Sequence, residues 1–170
     1  MAELTPKERL QPSLLDRLTD NEPERNVEGR ELRVLSPQRL RESVRRDLTW
    51  LFNSVNLVSV QDLSGHPEAE RSTLNFGLPD LSGKTTASIH IPTVEKQIRK
   101  AIWEFEPRLM KNSVRVKLIQ DQKAMGPNAL CVVIEAELWA QPLPLRLFLR
   151  TDLNLETGEA QVTDVTGQAG

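Results

Sequence analysis

Residues 92–118 read Pro92-Thr-Val-Glu-Lys-Gln-Ile-Arg-Lys-Ala-Ile-Trp-Glu-Phe-Glu-Pro107-Arg108-Leu-Met-Lys-Asn-Ser-Val-Arg-Val-Lys-Leu118, and the apolar period changes inside them. Val94, Ile98, Ala101, Ile102 and Phe105 recur at three- and four-residue spacing, the stripe of a helix that begins near Pro92. Pro107 stops it, because its ring excludes helical geometry from the residue before it, Glu106. Beyond the proline, Val114, Val116 and Leu118 alternate with Arg115 and Lys117, which is the period of a strand. A helix therefore hands over to a sheet through a fixed, charged corner, Glu106-Pro107-Arg108.

Downstream the strand period continues. Leu130, Val132, Ile134, Ala136 and Leu138 alternate with Cys131, Val133, Glu135, Glu137 and Trp139, and Leu145, Leu147, Leu149 and Leu153 form a second such row. A turn at Thr157-Gly158 predicts a short fourth strand over Ala160 to Val165. Arg115, Lys117, Arg146 and Arg150 are expected to flank Glu135 and Glu137 in antiparallel pairs. Upstream, Ser36-Pro37 is a helix start, with Leu40, Val44, Leu48, Leu51, Phe52 and Val55 as its apolar stripe. Its other face carries Arg39, Arg41, Glu42, Arg45, Arg46 and Asp47, a mixed face suited to solvent or to a paired partner. From Asn56 to Ser88 glycines and prolines break regular structure, yet Asn75 to Leu81 holds enough large apolar groups to pack on the body. The expected class is α+β: two main helices on a small, mainly antiparallel sheet, with an N-terminal helical tail.

That tail sets the expected division. Residues 1–35 are polar and charged, except where Ser13 can cap a short helix bearing Leu14, Leu15 and Leu18; they are read as a docking helix on a flexible linker, followed by one α+β domain over 36–170. Docking to a partner and packing on its own domain are both open for the short helix.

Composition narrows the function classes. The net charge is −2 and aromatic residues make up 4%, with no tyrosine, so no nucleic-acid partner is expected. The chain starts without a secretory pattern and contains no apolar run near the ~20 residues a bilayer needs, so a cytoplasmic protein without membrane insertion is expected. The single cysteine, Cys131, sits in an apolar run and reads as a small core residue. His66 and His90 have no second ligand at metal-site spacing, and no cofactor motif is present. Gly83-Lys84-Thr85 lacks the earlier glycine of a phosphate loop, since that position is Leu78. Glu104 and Glu106 lie two residues apart near a helix end and point in different directions, so a sugar-cleaving pair is poorly supplied. No enzyme is expected. What remains is the corner, whose Glu106 and Arg108 either tie the fold together or reach a protein partner with charge-assisted bonds.

Four stretches then converge on one family. Leu40-Arg41-Glu42-Ser43-Val44-Arg45-Arg46-Asp47-Leu48-Thr49-Trp50-Leu51-Phe52-Asn53-Ser54 resembles the first conserved helix of the TssE family of type VI secretion baseplate subunits, which is related to a wedge protein of the phage T4 baseplate. Phe76-Gly77-Leu78-Pro79-Asp80-Leu81 resembles its Gly-Leu-Pro-Asp loop, and Ile98 to Leu109 its Glu-Pro-Arg motif, while Leu10 to Leu18 is typical of the bacterial branch. The resemblance implies a structural subunit in the cytoplasmic baseplate docked on the inner-membrane complex. It would link the wedge proteins TssF, TssG and TssK to the sheath proteins TssB and TssC, exchanging strands at the C-terminal sheet and initiating sheath polymerisation. It implies Glu106, Pro107 and Arg108 as protein-interaction residues. The alternatives are a muramidase-like enzyme, since the phage relative was once labelled a lysozyme, and a regulatory binding module of the same fold.

Overall fold

The computed structural model describes residues 13–19, 24, 36–119, 128–140 and 144–167. Two short helices, α1 (Leu14–Leu18) and α3 (Pro67–Glu70), accompany two long ones, α2 (Pro37–Phe52) and α4 (Ile91–Phe105). The strands β1 (Arg115–Ile119), β2 (Ala129–Leu138), β3 (Leu145–Asn154) and β4 (Ala160–Asp164) form an antiparallel meander in the order β1-β2-β3-β4. The expected α+β class, with two main helices and an antiparallel sheet, is the one observed.

Local chemistry sets each boundary. Ser36 caps α2 by accepting the Arg39 N–H at 3.2 Å, with Pro37 at the first helical position. Leu40, Val44, Leu48 and Leu51 fill the core from α2; Val94, Ile98, Ala101 and Ile102 do so from α4. Val55 departs from the expected stripe. It lies past the end of α2 and is exposed, because the chain turns at Asn53 and Val55 joins Leu78 in an isolated parallel bridge instead. The Asn75–Leu81 stretch packs on the body as expected. Leu78 and Leu81 are buried, and the Phe76 ring meets Phe105 edge-on at 5.3 Å.

Gly77 makes that packing possible. Leu78 N–H donates to Ser54 O at 2.8 Å and Asn56 N–H to Leu78 O at 2.9 Å, stitching the loop to the end of α2. Gly77 has φ +129°, and a Cβ there would penetrate the Ser54 carbonyl and crowd Asn56 N.

The inward rows of the sheet are Leu130, Val132, Ile134, Ala136 and Leu138 on β2, Leu147, Leu149 and Leu153 on β3, and Ala160 and Val162 on β4. Two of the expected charge pairs occur: Arg115 stands opposite Glu135, and Arg146 opposite Glu137. Lys117 and Arg150 both stand opposite Val133, so neither is directly opposite a glutamate, and Arg150 pairs with Asp152 at 3.1 Å. Cys131 is buried, but in the outward row rather than the main core, and burial raises its thiol pKa.

The two sheet edges are covered unequally. On β4, Ala160 gives both backbone groups to the Asn53 side chain (2.9 and 2.8 Å), and Val162 O takes a 3.5 Å contact from Arg45. On β1, Leu118 N–H donates to Glu95 of α4 at 2.8 Å. Antiparallel alternation therefore turns the peptide groups of Val116 to that same outer side.

Two stability measurements check this packing. Gly77→Ala is expected to lower stability by about 2 kcal/mol in chemical denaturation, because it forces a strained φ and a backbone clash. Thr151 is fully buried and its hydroxyl has no partner among the described residues. Thr151→Val is therefore expected to raise stability, by about 1 kcal/mol.

Candidate functional site

The corner begins where α4 runs out. Glu106 N–H still closes a helical bond to Ile102 O at 2.9 Å, but Pro107 turns Glu106 to φ −122° and ψ 80°. The chain then pairs with the end of β2: Trp139 N–H donates to Arg108 O and Met110 N–H to Glu137 O, both at 2.8 Å. Helix, corner and strand are thus fixed by backbone bonds before any side chain is considered.

The side chains of the corner turn inward. Glu106 is 3% exposed, and both of its oxygens face Arg108: Oε1 accepts from Arg108 Nε at 2.7 Å and Oε2 from Nη2 at 2.5 Å. Oε1 also accepts the Arg108 backbone N–H at 3.1 Å. This is a bidentate, charge-assisted pair spanning a single proline. The guanidinium continues to α2, where Nη2 meets Asp47 Oδ2 at 2.5 Å and Nη1 donates to Ser43 Oγ at 2.9 Å. The attraction of Glu106 and Asp47 outweighs the effect of burial and raises the pKa of Arg108 beyond its ordinary value.

Ser43 passes the connection on. Its hydroxyl donates to Asp16 Oδ2 at 2.7 Å, and Arg46 Nη1 donates to Asp16 Oδ1 at 2.7 Å while Arg46 Nε holds Asp47 Oδ1 at 2.9 Å. Asp16 belongs to α1, where it also closes the capping box with Ser13. Burial pushes its pKa up, but the bonds from Ser13, Ser43 and Arg46 and the charge of Arg46 outweigh that and hold the carboxyl down at about 2. One carboxylate therefore both caps α1 and seats it on α2.

Of the residues expected to form the site, Glu106 and Arg108 meet each other, and Pro107 is exposed between them. Asp47, Ser43, Arg46 and Asp16 join them without having been singled out. The available signal was spacing: Ser43 and Asp47 are four apart beside the apolar stripe of α2, which puts both on one flank. The arrangement is suited to clamping rather than to chemistry, because every charged group in it already has an opposite charge in contact. Among the described residues no cluster of three or more potential ligands could hold a metal, and no helix is long and apolar enough to cross a membrane.

Removing either side of the clamp should cost unequally. Arg108→Ala strands the buried Glu106 carboxylate and is expected to lose about 3 kcal/mol or more in denaturant titration. Asp47→Ala leaves Arg108 its bidentate partner and should lose only about 1 kcal/mol. The folded-state pKa of Asp16 is depressed, so its contribution is present above the ordinary carboxylate pKa and is lost as pH falls toward about 2. The hydrogen-exchange protection factor of the Thr19 amide, which closes α1 onto Leu15 O, that is, its rate relative to an unstructured peptide at the same pH, should hold at pH 5 and fall as pH drops below about 4.

Comparison with known proteins places this corner in a family. A model described as the baseplate wedge protein gp25 matches residues 38–143. The match takes in α2, the Gly77 loop, α4, the Glu106-Pro107-Arg108 corner, β1 and β2. Searches of curated proteins and of solved structures returned no match. Covering more than half of the 170 residues, and with them both long helices and the charged corner, the match shows that the chain belongs to the gp25 family of baseplate wedge proteins, to which TssE also belongs.

Proposed function

We propose that this chain is the TssE-type, non-enzymatic baseplate subunit of a type VI secretion system. In this role it sits on the cytoplasmic side of the inner-membrane complex, joins the wedge proteins TssF, TssG and TssK to the sheath proteins TssB and TssC, and starts sheath polymerisation. The observation that carries the reading is the family match, whose span contains the Gly-Leu-Pro-Asp loop and the Glu-Pro-Arg corner in order. Residues 36–170 serve as the wedge domain and α1 as a docking helix; the linker expected within residues 1–35 lies, apart from Thr19 and Glu24, outside the described residues.

Within this reading Glu106, Pro107 and Arg108 act on partners through the surface they shape. The carboxylate of Glu106 is spent on Arg108, so the corner presents the proline and the clamped flank of α2 instead. The same engagement argues against a muramidase role for Glu106, which has neither an open cleft nor a free oxygen with which to handle a proton.

Strand exchange with the sheath is proposed at β1. Helix side chains take three outward groups on β4 (Ala160 N–H, Ala160 O and Val162 O) but one on β1 (Leu118 N–H, by Glu95), so the outward peptide of Val116 suits an added strand better. Val116→Pro tests this, because it removes the outward N–H without taking a hydrogen bond from the ladder to β2; it also replaces a buried valine, so persistence of the wedge contacts serves as the control for folding. In cells carrying a fluorescent sheath protein, loss of the chain should abolish sheaths, and Val116→Pro should do the same while co-purification with wedge proteins persists. Normal sheaths without the chain would contradict the proposed function; normal sheaths with Val116→Pro would contradict the β1 contact alone.

A further inference from the structure

The row of side chains that β1 turns away from the core is cationic. Arg115 and Lys117 are exposed on either side of the buried Val116, and among the described residues neither has an ion pair. Glu135 stands opposite Arg115, but Lys117 faces only Val133. The other edge of the sheet lacks such a row, since Gln161 and Thr163 hold the matching positions on β4. The outward peptide groups of β1 decide where a strand would pair. Those of Val116 point away from β2, while the next outward N–H, that of Leu118, is held by Glu95 at 2.8 Å. Glu95 therefore stops pairing at Leu118, and the two cations bracket Val116.

We propose that β1 selects an acidic strand: an extended segment of acid–apolar–acid pattern whose central residue pairs with Val116 and whose two carboxylates face Arg115 and Lys117. The location at β1 rests on the proposed function, and the chemistry of the strand comes from the charges that bracket the pairing position. When an antiparallel strand exchanges hydrogen bonds with Val116, the positions opposite Arg115 and Lys117 are the non-hydrogen-bonded ones, where side chains of neighbouring strands come closest. Opposite charges there stabilise the pair and like charges directly opposite destabilise it, so the same row refuses a basic strand. The central residue shares the face of Val116, which is buried, and is therefore apolar. A second copy of β1 is also refused. Paired through Val116 about a twofold axis, it would set Arg115 against Lys117 at both flanking positions. Cations on an edge strand also serve simply to block pairing, and a tethered strand separates the two roles.

The test uses the purified full-length chain with the segment Thr-Val-Glu-Val-Glu-Val-Thr joined to its C-terminus. A flexible Gly/Ser linker of about 20 residues, with an end-to-end reach of roughly 25 Å, lets the segment explore the sheet edge. Hydrogen exchange at the Val116 amide should slow at least tenfold relative to the chain without the segment. A segment with lysine in place of both glutamates should change it less than twofold. Arg115→Thr with Lys117→Thr should reduce the difference between the two segments to less than twofold. Equal protection by both segments in the unaltered chain, or a difference that survives the threonine substitutions, would overturn the selection while leaving a strand contact at β1 standing. Protection by neither segment would overturn it as well, leaving the cations as a block on pairing. None of these failures bears on the proposed function, which is tested separately by the loss of sheaths in cells without the chain.

Discussion

The pairing of Glu106 with Arg108 is the interaction on which the rest of the arrangement depends. A carboxylate at 3% exposure is tolerated only with a matched cation, and Arg108 supplies two side-chain bonds and one backbone bond to it. Pro107 between them fixes the chain direction, so both groups arrive at the pair already oriented. The spare donors of the guanidinium then fasten the end of α4 to the flank of α2, while Arg108 O fastens the same residue to the end of β2. One residue thereby ties three elements that are distant in sequence. A corner of this kind is rigid, and rigidity is what an assembly protein needs where several neighbours must meet it in one geometry.

The network also explains how a five-residue helix keeps a defined place. An isolated helix of that length has no stability of its own in water. Here the capping box of Ser13 and Asp16 closes its first turn, and the same carboxylate is held by Ser43 and Arg46. Since Arg46 also holds Asp47, and Asp47 holds Arg108, the seating of α1 is coupled to the state of the corner. A contact that disturbed Arg108 would be felt at Asp16.

Much of the fold was legible in the sequence because it is written in periods. The stripe of α2, the stripe of α4, the stop at Pro107 and the alternation of β2 and β3 each come from local spacing, and each appears in the structure. The charged register was half legible: Arg115 with Glu135 and Arg146 with Glu137 follow from alternation, but which residue faces Lys117 depends on a register that the polar pattern alone does not fix. Val55 shows the limit of periodicity at a helix end, where a cap and a loop contact decide the outcome. The pairing of Glu106 with Arg108 was one of two readings the sequence left open; its extension to α2 was not legible, because it requires knowing that Ser43 and Asp47, some sixty residues earlier, lie within reach. The exposed leucines of α1 run against the usual expectation for the same reason, since a distant arginine and serine bind the polar side of the helix.

The most direct test of the internal clamp is a double-mutant cycle on Arg108 and Asp47, read in equilibrium unfolding. Contact at 2.5 Å within one hydrogen-bonded network predicts that the two substitutions couple by at least about 1 kcal/mol. Strictly additive effects of Arg108→Ala and Asp47→Ala would mean that Arg108 does not hold α2, and would contradict the account.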